Sequence, residues 1–285
     1  MSLYLFQLLN GVGLGMIYFL MGVGLSIIFG MMNFVNFAHG IFYALGAFVC
    51  YQVIEVTGSY WIGLVLTPLL IGIVAYLLEK ILVTKLYKLE HAVQILITIG
   101  VMLIIRESIL IIWGTVPKPV STPDLLKGVV FFGDFVYPKY RLFIVAVTAV
   151  IGAAVWYLLE RTRFGITVRA GSENPKMVRL LGVDTGKLFA FTFVLGVALA
   201  GIAGALLTPI RGADAFSGNE VLGIAFVVVV IGGMGSFTGA LLGGLIVGLV
   251  QSFTAILWPE GTNVMIYSVM ALIILLRPNG LFGKA

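Results

Sequence analysis

Residues 188–208, LFAFTFVLGVALAGIAGALLT, pass through 21 positions without a charged side chain. Wound as a helix rising about 1.5 Å per residue, that stretch is about 30 Å long, the thickness of a bilayer's hydrocarbon core. Working outward from it, similar apolar runs lie near residues 8–30, 36–54, 60–79, 92–113, 141–159, 219–232, 238–257 and 263–276. Across the 285 residues, 61% are hydrophobic and 10% charged, against about 45–50% and about 25% in soluble domains. No soluble core hides that much apolar surface. The expected fold class is all-α: a polytopic integral membrane protein, a bundle of eight to ten transmembrane helices forming one domain, residues 1–285.

The charges that remain set topology. The net charge of +5 is scattered through short loops and forms no continuous basic face, which excludes nucleic acid as a partner. Loops rich in Lys and Arg stay cytoplasmic. Lys80, Lys85 and Lys88 mark one such loop, Arg161, Arg163, Arg169, Lys176, Arg179 and Lys187 a second, and Arg277 with Lys284 the C-terminal tail. The segments Glu55–Tyr60, 114–140, Pro209–Asn219 and Trp258–Asn263 then face outward, and with nine spans the N-terminus does too. No Lys or Arg precedes Lys80, so the first apolar run is expected to be retained as a membrane helix and not cleaved as a signal. One cysteine, Cys50, with His39 and His91 builds neither a disulfide framework nor an ordinary zinc site. No cofactor or metal is expected.

Between Trp113 and Arg141, four prolines and mixed charge rule out a membrane helix. Within this segment Val129–Phe132 and Phe135–Tyr137 flank Gly133–Asp134 and predict a β-hairpin, either a cap over helix ends or a docking point. In the 160–187 loop, Asn174 suits a helix N-cap, Pro175 the first helical position and Gly182 the left-handed residue past the end, predicting a two-turn helix over Pro175–Leu181. Its Met177, Val178, Leu180 and Leu181 are more apolar than a connector needs, so it either docks in a partner's groove or folds back on its own bundle.

Polar breaks mark two further sites. Asn33, Asn36 and His39 separate the first two spans and are either helix contacts or part of a solute path. Gly232, Gly233, Gly235 and Ser236 interrupt a run from Gly223 to Gly248 that is too long for one span, as a tight turn or a gate. Arg106 and Glu107 are adjacent and so not automatically a pair; they rank as interface anchors. Glu107 is the only carboxylate well inside a predicted span, which argues against ion-coupled transport. Gly182–Leu188 fails as a phosphate loop, since its first glycine is one residue too close and Leu188 stands where Ser or Thr is required. The chain is therefore expected not to hydrolyse nucleotide. Glycines at 11, 15, 22 and 30, at 40 and 46, and at 239, 243, 244 and 248 place small residues along helix faces, as close packing in lipid requires.

Together these segments resemble a known family. The matching pieces are Leu9-Asn-Gly11-Val-Gly-Leu-Gly15 with Tyr18, Gly24-Leu-Ser-Ile-Ile-Phe-Gly30, Asn36-Phe-Ala-His-Gly40, Thr98-Ile-Gly100, the loop from Arg169 to Asp184, Gly232-Gly-Met-Gly-Ser236 with Gly239-Ala240 and Gly243-Gly244, and the tail Arg277-Pro-Asn-Gly-Leu-Phe-Gly283. They are similar to the permeases of branched-chain amino acid ABC importers, of the shorter, high-affinity LivH type. The resemblance implies a non-enzymatic transport subunit in the bacterial inner membrane, paired with a homologous second permease. Two cytoplasmic ATP-binding subunits and a periplasmic solute-binding protein complete such a complex. It also implies that Ser172, Glu173, Asn174, Pro175, Lys176, Arg179, Leu180 and Gly182 form the segment coupling to an ATPase. Asn33, Asn36, His39, Gly232, Gly233, Gly235 and Ser236 are the candidates for the translocation path. The family also includes importers of urea and short amides, which no residue separates; outside the family, the alternative is a passive solute channel.

Overall fold

The computed structural model describes residues 2–87, 89–132 and 135–283. Lys88, Gly133, Asp134 and Lys284, used above to mark loops and a turn, lie outside the described residues. Helices α1 (Ser2–Met32), α2 (His39–Thr57) and α3 (Tyr60–Leu78) open the chain. A π-helical turn over Glu79–Val83 and the short α4 (Thr84–Leu86) prolong α3. Then follow α5 (His91–Trp113), β1 (Val129–Phe132), β2 (Phe135–Pro138), α6 (Lys139–Arg161), α7 (Arg163–Glu173) and α8 (Pro175–Leu180). The last four helices are α9 (Thr185–Arg211), α10 (Ser217–Gly232), α11 (Phe237–Leu257) and α12 (Thr262–Leu276). Eight helical stretches among the described residues are long and apolar enough to cross a membrane, and the shorter α10 is a ninth apolar helix. The predicted multi-helix bundle is what the chain forms.

α1 and α9 form the centre. Most of their apolar windows are buried, whereas little of the windows of α5 and α12 is. In water that exposure would be ruinous, but lipid tails are as apolar as leucine, so large side chains such as Leu96 and Ile111 can face outward. The interior is instead made tight by small residues. A methyl group placed on Gly15 would sit 2.8 Å from the Gly244 carbonyl oxygen, and one on Gly22 2.5 Å from a methyl of Val228. This is the close backbone approach that the glycine spacing predicted.

α9 carries Pro209, which has no N–H to give the Ala205 carbonyl. The Tyr60 hydroxyl, 3.5 Å from that carbonyl, donates to the Tyr140 hydroxyl at 2.7 Å, which in turn donates to Leu206 O at 2.7 Å. α3, α6 and α9 are thereby joined by buried polar groups where a free carbonyl would be costly.

The predicted hairpin forms, with Val129 opposite Pro138 and Phe132 opposite Phe135. Two sequence expectations are corrected. The third span does not end near residue 79 but continues helically to Leu86, so Lys80 and Lys85 stand on helix and not in a loop. Glu79, buried within that span, accepts from Thr84 Oγ1 at 2.9 Å and Tyr87 OH at 3.1 Å, so Glu107 is not the only carboxylate inside one. Burial, and then the Glu79 charge, raise the Tyr87 phenol pKa and keep it a donor. The pairing of Arg106 with Glu107, left open by the sequence, is present: Arg106 Nη2 and Glu107 Oε1 lie 3.2 Å apart, because long side chains can fold back along the helix surface, and the guanidinium also lies over the Phe216 ring.

Candidate translocation cavities and coupling segment

Two cavities open at opposite ends of α1. The first, about 500 Å³, lies at the hairpin end and is lined by Gln7, Asn10 and Leu14 of α1, Tyr137 and Arg141 beside the hairpin, Arg211 and Glu220 around the α9–α10 turn, and Gln251 and Ser252 of α11. The second, about 580 Å³, lies at the other end between Val23, Ser26, Ile27 and Gly30 of α1, Arg169, Ser172 and Glu173 of α7, Gly235 and Ser236, and the tail residues Asn279 and Phe282. At 3.6 residues per turn, positions 7, 10 and 14 share one face of α1, and 23, 27 and 30 fall on nearly the opposite face. No straight passage therefore joins the cavities along one side of α1. Between them Tyr18, buried, donates to Gln251 Oε1 at 2.5 Å, and Phe19 meets Phe237 edge to face.

The cation-bearing segments gather at the second cavity's end. Tyr87 stacks edge-on with Phe34 and Phe189, and Phe164 with Phe191, so the turn after α4, the end of α1, the start of α7 and the start of α9 share one end. α7 was not foreseen. Its N-cap is Thr162, and Gly165 presses against the Leu159 carbonyl, a contact any side chain would block. Arg169 bonds Leu159 O at 2.5 Å and pairs with Glu160 at 3.4 Å.

After α7, the short helix forms as its caps predict. Asn174 Oδ1 accepts from Met177 N at 3.0 Å and Gly182 adopts φ +84°. Of its four apolar residues, Val178 is buried, while Met177, Leu180 and Leu181 are 55%, 82% and 76% exposed. Positions 177, 180 and 181 lie on one helix face, so α8 anchors through Val178 and presents an apolar patch outward. Lys176 and Arg179 are exposed beside it, and Ser172 and Glu173 turn toward the cavity. Asp184 then caps α9, accepting from Gly186 N at 3.0 Å and Lys187 N at 3.2 Å. These bonds, the one from Lys187 first, hold its pKa below the ordinary value.

The remaining sequence candidates separate into two groups. Gly235 and Ser236 line the second cavity; Gly233 and Gly235 take φ of +97° and +81°, and Ser236 Oγ accepts from Gly239 N at 3.0 Å to start α11. Gly232 and Gly233 are instead closed over by the tail, since Leu281 N donates to Ile231 O and Phe282 N to Gly232 O, each at 2.9 Å. Asn33, Asn36 and His39 line neither of the two large cavities. Asn33 and Asn36 stand on a non-helical stretch drawn into the bundle and His39 opens α2: Phe37 N donates to Thr98 Oγ1 at 3.2 Å, two turns into α5, and a His39 ring nitrogen lies 3.1 Å from Met21 O, three turns back along α1. Asn36 Oδ1 accepts from Ala38 N at 3.1 Å, an exposed Asn33 with φ +47° reaches His91 at 3.4 Å, and the protein around them is what lets irregular backbone exist at that depth. Arg141, Arg211 and Glu220 of the first cavity were missed. They stand on three different helices and meet only through folding.

A multi-pass helical bundle with a separate cavity at either end is an architecture suited to a membrane permease. The chain belongs to the family described as branched-chain amino acid transport system / permease component, whose model matches residues 7–275. It is 29% identical to the high-affinity branched-chain amino acid transport system permease protein BraD of Pseudomonas aeruginosa over 99% of this chain and 96% of that protein. It is also 29% identical to LivH of Escherichia coli K12 over the same shares. The probable branched-chain amino acid transport permease LivM of Methanocaldococcus jannaschii is 29% identical over 78% of this chain and 68% of its own length. No solved structure matches the chain.

Proposed function

We propose that this permease carries branched-chain amino acids across the bacterial inner membrane as the membrane-spanning subunit of an ATP-driven importer. In this reading the α7–α8 end and the C-terminus are cytoplasmic, following the concentration of Lys and Arg there. Ser172 to Gly182 is the segment against which one of two ATP-binding subunits closes. A homologous permease stands beside the chain, as the likeness to proteins named both LivH and LivM supports, and a periplasmic solute-binding protein delivers substrate at the hairpin end. The solute path takes in Gly235 and Ser236 at the cytoplasmic cavity, with Asn33, Asn36, His39, Gly232 and Gly233 shaping the segments that move around it.

One observation carries the reading: Met177, Leu180 and Leu181 form an apolar patch on a two-turn helix at the cation-rich end, held to the bundle by Val178. Lipid would cover such a patch on a span, but here it stands beside Lys176 and Arg179, so a protein groove is the fitting partner. The test is ATP-dependent uptake of labelled leucine, and separately of urea, by vesicles containing the co-purified complex. Arg179→Glu with Leu180→Ala is expected to abolish uptake and transport-linked ATP turnover while the chain still inserts. Undiminished turnover would remove the coupling assignment, and uptake of urea without leucine would transfer the chain to the urea branch of the family.

A further inference from the structure

The hairpin-end cavity contains charges of both signs above an apolar wall. Arg141 and Arg211 enter from α6 and α9, and Glu220 from α10. Arg211 Nη1 and Glu220 Oε1 are 3.8 Å apart, an ion pair too long for a hydrogen bond, so each retains open hydrogen-bonding capacity. Arg141 bonds the Asn10 carboxamide oxygen, which also accepts from Tyr137 OH at 3.1 Å, and among the described residues no carboxylate pairs with it. Leu14, Ile144 and Leu207 line the same space, which at about 500 Å³ falls within the range of small-molecule sites.

We infer that this cavity is a binding site for the zwitterion of an apolar α-amino acid, with the α-carboxylate held by Arg141 and Arg211, the ammonium by Glu220, and the side chain against Leu14, Ile144 and Leu207. The inference rests on the functional reading above and deepens it by placing selectivity within the permease. A guanidinium offers a carboxylate two parallel donors. A plain carboxylic acid leaves Glu220 facing an anion, an amine leaves Arg141 facing a cation, and neutral urea satisfies neither. A site whose polar groups are placed to bind both ends of the zwitterion rejects the analogue that leaves one of them unpaired more strongly than it rejects one methylene more or less. Leucine and valine are thus accepted alike, while their decarboxylated or deaminated analogues are refused.

The test uses the complete membrane complex in lipid nanodiscs without the solute-binding protein, with ligand-observed NMR of L-leucine at millimolar concentration. Valine is expected to displace leucine, and isovalerate, isoamylamine and urea are expected not to at tenfold excess. Arg141→Gln and Glu220→Gln should each weaken leucine at least tenfold. Ala255→Phe, which fills the cavity while leaving every charge in place, should abolish binding and guards against loss through misfolding of the charge variants. No leucine signal from the wild-type complex, equal displacement by isovalerate, or unchanged binding in Glu220→Gln and Ala255→Phe would each overturn the site. If vesicles of the full importer nonetheless take up leucine, only the site falls; if they do not, the functional reading falls with it.

Discussion

Substituting alanine at Gly15 tests whether backbone contact between α1 and α11 holds the bundle together. The new methyl would sit 2.8 Å from both Gly244 O and Leu245 Cα and 3.2 Å from Gly244 C. All three are backbone atoms, so no rotamer change relieves them. Restoring ordinary contact near 3.5 Å requires the helices to part by about 0.7 Å, which forfeits roughly a quarter to a half of each well of about 0.1–0.2 kcal/mol. Over about fifty atom pairs along the seam the loss is about 2 kcal/mol, within the usual cost of overpacking of about 1–3 kcal/mol. Gly100 in α5 is the control, because a methyl there meets nothing within 4 Å. Both changes share whatever alanine gains in helix propensity, so their difference isolates packing. Unfolding both variants by SDS titration in mixed micelles should show Gly15→Ala less stable than Gly100→Ala by about 2 kcal/mol. Equal stability would refute the claim that the seam is limited by backbone contact.

Three further outcomes follow from particular bonds. Tyr60→Phe removes the donor that satisfies the buried Tyr140 oxygen, and micellar unfolding should show a loss of about 1–3 kcal/mol, the cost of leaving a buried acceptor unmet. Asn174→Ala deletes the cap on α8 and should cost that helix about 1 kcal/mol, read as faster amide exchange at Met177 with the spanning helices unchanged. For Asp184 the folded-state pKa lies below the ordinary 3.8, so its capping contribution is complete above that value and is lost as the pH falls through the depressed one. Exchange at the Gly186 and Lys187 amides should quicken relative to the rest of α9 only at such acidic pH, and Asp184→Asn, which keeps an accepting oxygen, should remove that dependence.

The parts legible in the sequence were those set by local physics. A charge-free run as long as the bilayer is thick can only be a span, Asn174-Pro175 with Gly182 encloses a short helix whatever surrounds it, and paired β-rich tetrads around Gly133 make a hairpin. α7 escaped because its pattern is weak: Gly165 and Gly171 reduce helix propensity, and only Val168 is a buried side chain of substantial size on it. The end of the third span was misplaced because Lys80 and Lys85 resemble a loop, yet long cationic stems can follow a helix surface to its polar end. Arg141, Arg211 and Glu220 were illegible for a different reason. Arg141 and Glu220 are separated by 79 positions in the chain, and no periodicity relates residues brought together by three helices crossing.

The polar breaks show how a helical bundle can carry irregular backbone between two cavities. Departures from helix draw donors and acceptors from neighbouring elements, Thr98 for Phe37 and the tail amides of Leu281 and Phe282 for Ile231 and Gly232, while Asn36 Nδ2 and His39 Nδ1 stay buried without a partner among the described residues. Such pairing makes an irregular segment tolerable in hydrocarbon, and it also makes the segment exchangeable, because a hydrogen bond between elements can be traded for another of similar strength. The helices themselves cannot trade their internal bonds in the same way. Rearrangement between the two cavities is therefore expected at 33–38, at 232–236 and at the tail, with α1 and α9 moving as rigid rods between them. The glycine seam suits this division of labour, since a smooth backbone face lets one rod tilt against another without side chains having to leave their rotamers.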